Sequence, residues 1–161
     1  MGLRRLPRVV TVLWVDALRD LRDQVPMRWL VVLLMLWPGV VMACGAETRC
    51  EVANGYYLAA EPPGWDGQSP LPVVVDFHGW NGSPEGTFRN RAMVDGVTSR
   101  GGLFVAPWAS NGYWRQIGEG RAEGGRDELA YIRAVMADIR ARLPVDARLT
   151  MQSGFARGGS M

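Results

Sequence analysis

The sequence predicts an α/β fold built on a mostly parallel sheet with flanking helices. Three observations lead there. Leu71-Pro72-Val73-Val74-Val75-Asp76-Phe77 is an apolar, β-branched run of the kind buried on both faces of a sheet. Leu129, Ile132, Met136, Ile139 and Leu143 recur at alternating spacings of three and four, which places them on one helical face. Strand-like and helix-like segments also alternate along the chain, and that order gives a parallel sheet with right-handed crossovers.

The elements follow in order. Tyr56–Ala60 reads as an early strand, followed by the turn-rich Glu61-Pro62-Pro63-Gly64-Trp65-Asp66-Gly67. The buried strand 71–77 comes next, with Pro72 near its start, where no ladder donor is needed. Asn81-Gly82-Ser83-Pro84 turns into a helix over about 85–100, which Gly101-Gly102 ends. Leu103–Pro107 is a short strand, and residues 108–126 form a loop rich in Gly, Trp and Arg. The clearest helix spans Asp127 to Leu143, with acids in its first turn, arginines in its last, and Pro144 as its stop. Arg148–Ser153 is the last strand, and Gly154 opens a glycine-rich turn.

Composition narrows the function. With 161 residues, 48% hydrophobic and 21% charged, the chain suits one globular domain. The net charge of +2 is unevenly placed. Residues 1–28 hold six arginines against Asp16, Asp20 and Asp23, whereas 29–161 hold twelve arginines against thirteen acids. The body has no basic excess and no nucleic-acid motif, so no nucleic-acid partner is expected. Two cysteines and one histidine, His78, fall short of the four ligands of a structural zinc site, so no metal is expected.

Residues 1–43 read as a leader. Trp29–Cys44 is sixteen residues without a charge, short for a membrane span and broken by Pro38-Gly39. Arg28 precedes it and small residues follow, the order of a secretory signal peptide cleaved between Ala43 and Cys44. Residues 1–26 are long for the charged region of such a signal, which favours Met27 as the true start. A retained signal-anchor is the alternative. Val41-Met42-Ala43-Cys44 also resembles a lipidation box, with methionine a poor fit at its middle place. The competing reading, which we favour, is a Cys44–Cys50 disulfide in an oxidising compartment, helped by a turn at Gly45. Export is expected on either reading, with a membrane involved only through the signal or a lipid at Cys44.

Two motifs stand at predicted strand ends, where open α/β sheets place their ligands. Asp76-Phe77-His78-Gly79-Trp80 follows the buried strand, and Gly154-Phe155-Ala156-Arg157-Gly158-Gly159 follows the last one. The second has the glycine spacing of a G-x-S-x-G nucleophile elbow, with alanine where serine stands. It matches neither G-x-G-x-x-G nor G-x-x-x-x-G-K-[ST], which argues against a phosphate loop. Among the tryptophans, Trp108 and Trp114 flank a loop after a strand end and are candidates for a substrate groove, along with Trp80. Trp65 reads as ordinary packing, and Arg126-Asp127-Glu128 as a solvated helix start.

From about Gly55 to Met161 the chain resembles the secreted esterases grouped with polyhydroxybutyrate depolymerases and feruloyl esterases, within the α/β-hydrolases. The resemblance rests on Pro63-Gly64-Trp65-Asp66-Gly67, Leu71–Gly79, and Leu143-Pro144-Val145-Asp146 leading into Gly154–Met161. It implies that residues 44–161 are the N-terminal half of an α/β-hydrolase fold, truncated after the elbow. Ala156 would hold the nucleophile place, framed by Gly154 and Gly158. The backbone N–H groups of Trp80 and Arg157 would be the oxyanion donors, with His78-Gly79 shaping the loop and His78 not acting as the general base. The partner implied is an ester substrate, either a polyester or a feruloyl or acetyl sugar ester, with no cofactor. Such proteins carry their catalytic Asp and His later in the chain, and an alanine methyl cannot attack a carbonyl. Neither Ser153 nor Ser160 has the flanking glycines to replace it. The chain as written is therefore expected to be inactive, a binding protein or a degenerate gene fragment being the alternatives to a truncated esterase.

Overall fold

A computed structural model of the protein describes residues 44–115 and 125–161. The expected signal peptide, the Met27 start and the signal-anchor alternative lie outside the described residues. Within them a five-stranded mixed sheet carries helices on its faces, an α/β arrangement. The strands are β1 (Cys50–Val52), β2 (Gly55–Ala60), β3 (Leu71–Phe77), β4 (Leu103–Pro107) and β5 (Val145–Gly154). Their spatial order is β1-β2-β4-β3-β5. The β1–β2 and β2–β4 pairs are antiparallel, and β4–β3 and β3–β5 are parallel.

Residue chemistry accounts for the pieces. Ala53 and Asn54 form the two-residue loop between β1 and β2, with Asn54 at the left-handed φ of +67 that a tight hairpin uses. The Cys44–Cys50 disulfide, with Cα atoms 4.8 Å apart, ties the preceding segment to β1 and occupies the sulfur that a lipid thioether would need. In the β2–β3 turn the Asp66 carboxylate accepts from the Ser69 hydroxyl and from the Ser69 and Gln68 amides. The Ser69 hydroxyl first, then those amides, hold its pKa down to about 2.

The helix expected over 85–100 is two helices, α1 (Pro84–Arg89) and α2 (Arg91–Thr98), broken at Asn90, whose φ −77 and ψ +78 are not helical. Ser83 caps α1 by accepting from the Gly86 amide at 3.0 Å. Helix α3 (Glu128–Arg142) starts at Asp127, whose carboxylate accepts from the Ala130 amide. Its buried stripe is Glu128, Tyr131, Val135 and Ile139. Ile132, Met136 and Leu143 pack at the side of that stripe, and Leu129 is half exposed. The face drawn from the aliphatic residues alone is thus rotated, because Tyr131 replaces Leu129 as the residue that enters the core.

Two cores lie on opposite sides of the sheet. Val73, Val75 and Phe77 of β3 join Leu103 and Val105 of β4 against Tyr131, Val135 and Ile139. Val74, Phe104 and Ala106 face α1 and α2 through Phe88 and Val94. β3 and β4 are thereby covered on both sides, as their apolar runs require. β5 is not: it pairs with β3 alone among the described residues, and Leu149 and Met151 are 58% and 63% exposed. The sheet brings the C-terminal ends of β3 and β5 side by side, with Phe77 opposite Gly154.

Candidate active site

The turn after β5 has the geometry of an elbow. Ala156 sits at φ +50, a left-handed conformation that costs an L-residue roughly 1–2 kcal/mol. A 3-10 turn over Ala156–Ser160 follows directly. The flanking glycines are sterically required. A Cβ on Gly158 would lie 1.9 Å from the Phe77 carbonyl oxygen, and one on Gly154 would lie 2.6 Å from the Gly158 backbone. No backbone shift of a few tenths of an ångström relieves either clash. The turn exposes Ala156 at the surface, beyond the ends of β3 and β5.

The His78–Trp80 turn lies against this elbow. The Phe155 amide donates to the Phe77 carbonyl at 3.2 Å, and a Cβ on Gly79 would meet the Phe155 ring at 3.1 Å. Gly82 and Asn81 close the turn through bonds to the Gly79 and Gly112 carbonyls. The amide of Trp80 makes no backbone hydrogen bond among the described residues. His78 is buried. Its Nδ1 lies 2.8 Å from the Gly79 carbonyl, which can only accept, so Nδ1 is the donor of that bond. Nε2 is buried without a partner among the described residues. The ring packs against Trp114 at 5.4 Å. It is held inside its own turn.

The tryptophans separate into three environments. Trp80 is 78% exposed and lines, with Tyr113 and Arg157, a cleft of about 420 Å³. Trp108 is half buried, stacked on Tyr56 at 5.7 Å, and is not among the residues lining that cleft. Trp114 is fully buried, so it lines no groove. It points inward because its indole N–H has a buried acceptor, the His78 carbonyl at 3.0 Å, and because it meets Phe77 edge-on at 5.0 Å. Trp65 packs at the edge of the larger core, with its indole N–H on the Ser69 carbonyl.

Arg126 and Glu128 also depart from the expectation of a solvated helix start. Their side chains are 6% and 8% exposed and form an ion pair. Arg126 donates further to the carbonyls of Asn54 and Trp108 and lies 3.8 Å from the centre of the Tyr131 ring. These bonds offset part of the desolvation cost of the buried pair, while Glu128 Oε1 is buried without a partner among the described residues. Sequence alone gave no sign of it, since Arg-Asp-Glu at a helix start is ordinarily exposed. Tyr113 and Phe155 were also missed at the site. Phe155, 77% exposed against Gly79, could have been read from its place inside the elbow.

The two turns lie side by side at the ends of β3 and β5, and the alanine at position 156 has no group able to attack a carbonyl carbon. Among the described residues no cluster of His, Cys, Asp and Glu could hold a metal ion. No family model matches the chain, and no curated protein matches it. Among solved structures, the crystal structure of a thermostable esterase is similar at 16% identity and a TM-score of 0.49, over 64% of this chain and 31% of that one. The chain thus spans less than a third of that esterase's length.

Proposed function

We propose that residues 44–161 form the ester-binding half of a serine ester hydrolase of the α/β-hydrolase type, with hydrolysis absent because the nucleophile place holds Ala156. The observation that carries this reading is the left-handed Ala156 between two glycines that tolerate no Cβ, directly after a parallel strand. Backbone of that shape projects the side chain at 156 out of the sheet, which serves an attacking group and gives an alanine nothing. The Trp80 amide, on the β3–α1 turn pressed against the elbow, supports a second oxyanion donor beside that of Arg157. The site takes the acyl group of a carboxylic ester in the cleft of Trp80, Tyr113 and Arg157, with polyesters and feruloyl or acetyl sugar esters as the substrate classes. Loss of the nucleophile from such a site costs on the order of a million-fold in rate.

The test is a calorimetric titration of the protein with ethyl butyrate, run beside a hydrolysis assay on p-nitrophenyl butyrate. Saturable one-site binding without turnover is expected. Turnover by the unaltered chain, or no binding, would contradict the reading. We also place the protein outside the cytoplasm, with the leader removed near Ala43–Cys44. The Cys44–Cys50 disulfide supports this, because such bonds persist in oxidising compartments. N-terminal sequencing of protein from the culture medium should begin at Cys44. An uncleaved chain recovered from the membrane would contradict it.

A further inference from the structure

We infer that Trp114 is a positioning residue of this site, setting the separation of the two turns that carry the oxyanion donors; the inference rests on the proposed ester-binding reading. Two polar groups of Trp114, its indole N–H and its carbonyl, are committed, one to each turn. Its indole N–H donates to the His78 carbonyl at 3.0 Å, two residues before Trp80. Its own carbonyl accepts from Arg157 Nε at 3.2 Å, on the residue after the nucleophile place. The ring is fully buried and meets Phe77, the last residue of β3, edge-on. A tryptophan that only filled space would need one partner for its N–H, anywhere. This one bridges the oxyanion turn, the elbow and the strand between them.

Trp114 is itself held from behind. The Arg126 guanidinium lies 5.8 Å from its ring centre and 5.2 Å from that of Trp108. Arg126 is fixed by Glu128 in the first turn of α3 and by the Asn54 carbonyl in the β1–β2 hairpin. Trp108, in turn, has its amide on the Tyr131 hydroxyl at 2.9 Å. The loop that carries Trp114 is therefore anchored to α3 and to the hairpin, and the two donor turns are anchored to Trp114. Oxyanion stabilisation depends on donors fixed before the charge develops, and misplacement by about 1 Å can cost a hundredfold.

The experiment titrates the 161-residue protein by calorimetry with two probes. Methyl butylphosphonate is a tetrahedral anion that needs both donors in register, whereas ethyl butyrate is planar and depends chiefly on the cleft. Trp114→Phe keeps an aromatic ring and deletes the N–H. It should weaken phosphonate binding by about tenfold or more while changing ethyl butyrate binding by less than about twofold. Replacement of Trp114 by 3-benzothienylalanine keeps the bicyclic shape, also deletes the N–H that the His78 carbonyl accepts, and should shift the same ratio in the same direction. It carries the test if Trp114→Phe does not fold. Equal weakening of both probes, or no change in either, would overturn the positioning role and leave the ester-binding reading standing. Failure of the unaltered protein to bind either probe would overturn that reading, and the inference with it.

Discussion

Ala156 and its two glycines concentrate the energetic cost of this site in three positions. An alanine at φ +50 is held there by the surrounding hydrogen bonds, among them Phe155 N–H to the Phe77 carbonyl and Gly158 N–H to the Phe155 carbonyl. Ala156→Gly removes the left-handed penalty and should raise stability in urea by about 1 kcal/mol. Gly158→Ala does the opposite. Its methyl would overlap the Phe77 carbonyl, a backbone atom at the buried end of β3, and should cost at least about 3 kcal/mol. Urea unfolding of the two variants measures both. A Gly158→Ala protein as stable as the parent would mean that the elbow is not packed against β3 as described.

At the scale of elements, what the sequence disclosed depended on how locally each element is specified. β3 was legible to the residue, because a run of apolar residues centred on three valines admits one reading, and β4 was legible from its own apolar run. β1 escaped notice, since three residues of mixed polarity carry no period and the turn at Asn54 was its one sign. The break at Asn90 escaped as well, being a backbone event with no proline to mark it. In the site, the glycine spacing and the place of Ala156 were legible because steric demands are written in residue identity. The burial of Trp114 was not, because its acceptor lies 36 residues away. Nor was the stripe of α3, where Tyr131 enters the core through its hydroxyl's partners on Tyr56 and Trp108. That correction is measurable. Ile139→Ala, in the core, should cost about 2–5 kcal/mol, and Leu129→Ala, half exposed, within about 0.5 kcal/mol. Comparable losses from the two would restore the face drawn from the aliphatic residues.

For the whole molecule the least satisfied surface is β5. Its Leu149 and Met151 stand open to solvent, and its outer edge has no partner strand among the described residues. Open edges with apolar side chains pair with other chains. Self-association that grows with concentration is expected in sedimentation velocity, and Met151→Lys should reduce it. A monomer at every concentration would contradict this. At position 156, where the proposed reading has a nucleophile meet a polarised ester carbonyl, one substitution is decisive. In Ala156→Cys the new thiol is the only free one among the described residues, because Cys44 and Cys50 are bonded to each other. A cysteine needs less help from a base than a serine, and its thiolate can attack p-nitrophenyl butyrate, forming a thioester and releasing p-nitrophenolate. The measurement is the rate of one-to-one butyrylation by intact mass, compared with Ser160→Cys one turn away. Acylation of Ala156→Cys is expected to be at least about tenfold faster than that of Ser160→Cys. Equal rates for the two thiols would contradict it.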